Sequence, residues 1–141
     1  MKKLLMTSGI YTACALVFGV FFREFTKFYG FTEHTTLSVI HTHLFILGTF
    51  LFLILALFLK DEKIDNSKMV KRFFLSYNIA FPLFISTLFT RGVIQVVGIE
   101  ISSSINKMIS GLAGLTHILL TVSLCLLIPI FIKITKREEI K

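Results

Sequence analysis

TTLSVIHTHLFILGTFLFLILALFL, Thr35 to Leu59, is the stretch whose reading decides the fold. It contains no Asp, Glu, Lys or Arg. Wound as a helix at ~1.5 Å per residue, it is long enough to cross the ~30 Å hydrocarbon layer of a bilayer. Two imidazoles, His41 and His43, sit inside it. The first reading makes the chain a membrane protein, and the second makes these histidines its candidate chemistry.

Three more apolar runs flank this one: Leu4–Phe22, Phe73–Val97 and Met108–Ile134. The composition agrees, being 55% hydrophobic with 16 Phe in 141 residues, more than a soluble core of this size needs. A mean hydropathy of +0.83 says the same. We expect one all-α domain spanning residues 1–141, a polytopic membrane four-helix bundle with helices at 4–22, 35–59, 73–97 and 108–134. The first run follows Lys2 and Lys3 but is longer than a signal peptide's apolar region. It ends in Phe21-Phe22-Arg23-Glu24 with no small-x-small cleavage pattern, so it is expected to remain as a helix.

Short connections, about 10–13 residues each, force every helix to run antiparallel to its predecessor, which gives an up-down topology. Orientation follows from the basic residues. Lys2, Lys3, Lys60, Lys63, Lys68, Lys71, Arg72, Lys133, Lys136, Arg137 and Lys141 fall on one side, against Arg23, Lys27 and Lys107 on the other. The positive-inside rule then places both termini in the cytoplasm, in a bacterial inner membrane. The net charge of +7 is thereby a topology signal, with some attraction to anionic lipid, and no nucleic-acid partner is expected.

Four ionisable residues remain within the spans: His41, His43, Arg91 and His117. Each costs about 2.5 to 3.5 kcal/mol on insertion scales, so a compensating partner is expected. Measured from the outer ends of the spans, they lie roughly 9, 12, 10 and 15 Å deep, in one layer of the outer half. His41 and His43 are about 200° apart on a helix, so only one of them faces a given neighbour. Ser38 and Gly48, small residues on His41's face, favour His41 as the inward one, and Ala113 and Gly114 leave similar room beside His117.

Two neutral imidazoles suit the axial positions of a low-spin haem b, and Arg91 suits its propionates. The expected function is therefore a bis-histidine haem protein for electron transfer or for gas or redox sensing. His41, His117, Arg91, Gly48 and Gly114 would hold the cofactor, and His41, His117 and His43 are the candidate metal ligands. Two alternatives stand beside it. One is a copper or zinc site built from His34, His41, His43 and His117; the other is a non-metal accessory subunit or small transporter. The spans offer no Ser or Cys nucleophile with a base and a carboxylate beside it, so a stand-alone hydrolytic enzyme is not expected.

The segment from Ser38 to Gly48 resembles the second helix of the catalytic subunit of haem-copper oxidases and nitric oxide reductases. There the histidine of His-Thr-Asn is an axial ligand of the low-spin haem. The resemblance implies that role for His41, while His43 stands where that family has Asn. Over nearly its whole length the chain is similar instead to a family of small bacterial membrane proteins of unknown function. The shared segments are Phe22–Phe28, Thr35–Leu44, Arg91-Gly92 and Gly111–His117. Small residues at four-residue spacing, Gly9 with Ala13, Ala15 with Gly19 and Ser110 with Gly114, suit a homodimer, while the resemblance to the large oxidase subunit, which is similar to three four-helix arcs about a pseudo-threefold, implies a trimer; a homo-oligomer is expected, with a redox partner possible.

Overall fold

The computed structural model describes residues 1–59 and 67–138. Helix α1 covers Lys2–Phe28, α2 the span Thr36–Phe58, α3 Lys68–Val97 and α4 Ser103–Cys125. A fifth segment, α5 at Leu127–Glu138, continues the α4 span after a break at Leu126, just before Pro129. No strand occurs among the described residues, and four helices are long and apolar enough to cross a membrane.

Three boundaries differ from the sequence reading, each for a local reason. The first helix runs on to Phe28 because Arg23, Glu24 and Lys27 are good helix formers, and polarity alone does not end a helix. The third begins at Lys68, where Ser67 caps it by accepting a hydrogen bond from the Val70 N–H at 3.3 Å. Ser102 caps α4 in the same way through the Ile105 N–H, so the fourth helix starts before Lys107. Helix α3 stops where predicted: Gly98 adopts φ 71°, a left-handed cap that its missing Cβ permits. Pro82 sits inside α3 without ending it. Most of the second connection, with Asp61, Glu62, Lys63 and Asp65, lies outside the described residues, as does Lys141.

Paired contacts fix the up-down order. Between α1 and α2, Gly19 meets His41, Tyr11 meets Gly48 and Ser8 meets Thr49. Between α2 and α3, Thr36 meets Gln95, His43 meets Phe84 and Phe52 meets Phe73. Between α3 and α4, Arg91 meets Ser110 and Phe84 meets His117. In each series one number rises as the other falls, which is antiparallel packing.

Helix α3 is the hub. Its buried side chains recur about every turn, at Val70, Phe73, Tyr77, Phe81, Phe84 and Thr87. Its rings also reach α1, where Phe89 packs on Phe18 and Phe21, and Phe81 on Tyr11. No hydrogen bond or ring contact joins α1 to α4 among the described residues, so the four spans form an arc around α3 with one side of α4 uncovered. Adding a Cβ to Gly111 or Gly114 meets nothing within 4 Å.

Candidate functional site

The backbone of α2 is irregular, and that irregularity aims its histidines. It starts as a 3₁₀ turn at Thr36–Val39, becomes α-helical at Ile40–His43, widens to a π-helix at Leu44–Phe50 and returns to α at Leu51–Phe58. The start is clamped on α3. Thr35 Oγ1 donates to the Gly92 carbonyl at 3.2 Å, Thr36 Oγ1 to the Leu88 carbonyl at 2.7 Å, and the Thr36 N–H to Gln95 Oε1 at 2.9 Å. Gly92 makes this possible, because a Cβ there would lie 2.7 Å from the Leu37 nitrogen. The wide turn leaves carbonyls that neighbouring helices satisfy: Tyr77 donates to Leu47 at 2.7 Å and Ser8 to Thr49 at 3.0 Å.

His41 faces α1. Its ring stacks near Phe22, with centroids 6.4 Å apart, and lies over Gly19, whose absent side chain leaves it room. Its Nδ1 is buried without a hydrogen-bond partner. Gly48 shares this face, as its seven-residue spacing from His41 predicts, but the notch is filled: a Cβ on Gly48 would lie 2.6 Å from Tyr11 Cβ and Cγ. Gly48 thus serves close approach of α1.

His43 points the other way, toward α3. Its ring lies 5.5 Å from that of Phe84, and the His117 ring lies 4.4 Å from the same Phe84 in a T-shaped contact. The structure therefore brings His43, and not His41, to the ring that His117 touches. The two imidazoles are also held alike. Nδ1 of His43 is 2.7 Å from the Val39 carbonyl, and Nδ1 of His117 is 2.9 Å from the Ala113 carbonyl. A carbonyl only accepts, so each Nδ1 donates, and in the neutral ring Nε2 then keeps its lone pair, the arrangement that second-shell bonds impose on metal-binding histidines. Gly114, one turn from His117, has open space beside it.

Arg91 lies seven residues from Phe84, about 10 Å along α3. Its guanidinium donates to Ser110 Oγ on α4 at 2.7 Å and edges a cavity of about 250 Å³ with Gln95 and Asn106. Residues at four-residue spacing here take different partners: Thr87 bonds the Phe84 carbonyl, Arg91 turns to α4 and Gln95 turns to α2. Glu24 pairs with its neighbour Arg23 at 3.6 Å. His34 is exposed in the connection before α2. Below the Arg91 cavity, an apolar crevice of about 200 Å³ runs between α3 and α4, and Ile109 lines both. Among the described residues no three His, Cys, Asp or Glu side chains gather as a metal-binding group.

Residues 1–134 match the family described as "Protein of unknown function (DUF2871)". The chain belongs to the DUF2871 family. No curated protein and no solved structure matches it, so the likeness of its second helix to the oxidase segment extends no further than the residues quoted for it. What the sequence reading missed in this DUF2871 chain is Phe84. It lies two helical turns from Arg91, and that spacing is the signal that would have put an aromatic ring on the polar face.

Proposed function

We propose that this DUF2871 protein binds a haem in the membrane through Nε2 of His43 and His117. The observation that carries the reading is the matched pair of imidazoles, each tied through Nδ1 to the carbonyl one turn back and both against Phe84. The donor set favours haem over bare copper or zinc. Two imidazoles leave a structural zinc short of its usual four ligands, whereas a porphyrin brings four nitrogens of its own. Bound there by both imidazoles, haem would supply one-electron chemistry, and a small gas would bind only by displacing one imidazole.

The chain's own residues contribute the rest. The clamp of Thr35 and Thr36 on α3 sets the angle of His43, and buried Phe84 packs against both imidazoles. With both termini cytoplasmic, as the Lys and Arg distribution implies, the site lies in the outer half of the bacterial inner membrane. Open space at Gly9, Gly111 and Gly114 supports a homo-oligomer, and a redox partner would exchange electrons with it.

Purified protein reconstituted with haemin in detergent tests this. A Soret band with sharp reduced α and β bands is expected, lost in His43→Ala and in His117→Ala but kept in His41→Ala. If loss follows His41 and His117 instead, the pair assigned here is wrong. A colourless protein carrying stoichiometric copper or zinc overturns haem, and a colourless metal-free one moves the reading to an accessory subunit or transporter.

A further inference from the structure

The groove between α3 and α4 has two parts on one line. Near the Val97 end, Arg91, Gln95 and Asn106 line a cavity together with Ile94 and Ile101; beneath it runs the apolar crevice, and Ile109 borders both. Neither imidazole nor Phe84 lines either part. We propose that this groove binds an anionic phospholipid, with its phosphodiester at Arg91 and one acyl chain along the crevice.

The headgroup follows from an unbalanced charge. The Arg91 side chain is half-buried about 9 Å along α3 from Val97, inside a span apolar enough to cross a membrane. Its hydrogen bond goes to a neutral hydroxyl, Ser110, and among the described residues no carboxylate pairs with it. A guanidinium at that depth is costly without an anion, and its planar fork fits two oxygens of a phosphate at once. The amide groups of Gln95 and Asn106 add donors on the cavity rim. Basic pockets between membrane helices hold anionic headgroups by this chemistry.

The tail follows from the crevice. Its four hydroxyls are turned away: Ser86 donates to Pro82, Thr87 to Phe84, Thr90 to Ser86 and Thr116 to Ala113, all backbone carbonyls. What remains is hydrocarbon, from Leu83, Leu112, Leu115 and Leu119. A slot that offers no free donor suits an alkyl chain. The membrane supplies amphiphiles with the charge at one end and the chain at the other.

The chain has no tryptophan, so a single introduced one reports without background. Leu119→Trp places it at the far end of the crevice, and Ile118→Trp places it on the uncovered side of α4. Each is reconstituted into phosphatidylcholine vesicles carrying a small fraction of lipid brominated in its acyl chains, either phosphatidylglycerol or phosphatidylcholine. We expect Leu119→Trp to be half-quenched at a brominated phosphatidylglycerol fraction about fivefold lower than for brominated phosphatidylcholine. Ile118→Trp should show no preference. Arg91→Gln should abolish the preference in the Leu119→Trp background, and Arg91→Lys should retain part of it. Equal quenching of the Leu119→Trp reporter by both lipids overturns the proposal, as does a preference that survives Arg91→Gln. An Ile118→Trp reporter unchanged by Arg91→Gln shows that the variant is folded.

Discussion

Gly92→Ala tests the close seating of the start of α2 on α3. The new Cβ would lie 2.6 Å from Leu37 Cγ, 2.7 Å from the Leu37 nitrogen and 2.9 Å from Leu37 Cδ2. Non-bonded heavy atoms settle at about 3.5 Å or more, so the surfaces must part by roughly 0.8 Å. A side-chain rotation relieves the carbon contacts but not the one with backbone nitrogen, and Leu37 is fully buried. The first turn of α2 must therefore move, which lengthens the Thr35–Gly92, Thr36–Leu88 and Thr36–Gln95 hydrogen bonds. Overpacking of this kind costs about 1 to 3 kcal/mol, offset in part by about 1 kcal/mol from alanine's better helix propensity. A net loss of up to about 2 kcal/mol is expected, and a gap of about 1 to 3 kcal/mol from a glycine-to-alanine change that meets no neighbour. Gly114→Ala is the matched control, since its Cβ meets nothing within 4 Å and only the propensity gain applies. Unfolding in mixed micelles, followed by far-ultraviolet circular dichroism across a denaturing-detergent titration, measures both. If Gly92→Ala and Gly114→Ala have equal midpoints, the close seating of α2 on α3 is refuted.

Tyr77→Phe removes the donor to the Leu47 carbonyl in the π-helical stretch and leaves that oxygen without its partner. The expected loss is about 1 to 3 kcal/mol, with faster amide exchange confined to the middle of α2. Phe84→Ala should cost about 3 to 5 kcal/mol because the ring is 2% exposed and touches two imidazoles. In the same variant the His43 and His117 ring resonances should both shift, while that of His41, which packs on α1, stays in place. Nitrogen-15 spectra of the metal-free wild type should show His43 and His117 as the Nδ1–H tautomer; an Nε2–H tautomer at either would undo the assignment of its free lone pair.

The architecture was legible because hydrocarbon length is a coarse signal that local detail does not disturb. Four apolar runs with short connections give four antiparallel helices whatever the packing between them. The ends were less legible because capping outweighs polarity. Ser67 and Ser102 start their helices several residues before the apolar runs begin, since one side-chain oxygen satisfies an otherwise orphaned N–H. The arc is a property of α3. Its aromatic residues recur about every turn on the face it buries, and they also touch α1, α2 and α4, but period alone does not say which neighbour each ring will find.

Depth could be counted along the chain, whereas azimuth could not, and that difference explains how far the candidate site was readable. Counting from the helix ends put the imidazoles of α2 and α4 at comparable levels, and the contact of His43 and His117 with one Phe84 ring agrees with that count. Which of His41 and His43 turns toward α3 depends on how α2 is rotated, and two unlike contacts set that rotation. On one side, Gly19 and Tyr11 make a surface that accepts His41 and Gly48. On the other, Gly92 admits the backbone of Leu37. The 3₁₀ and π segments adjust the turn angle between these anchors, so an ideal helical wheel assigns the residues of α2 to shared faces but not those faces to partners. Gly48 was read as room beside His41, and it is where Tyr11 of α1 fits. In a membrane bundle a glycine beside a polar residue marks a close approach, and only the partner's sequence tells whether a helix or a ligand makes it.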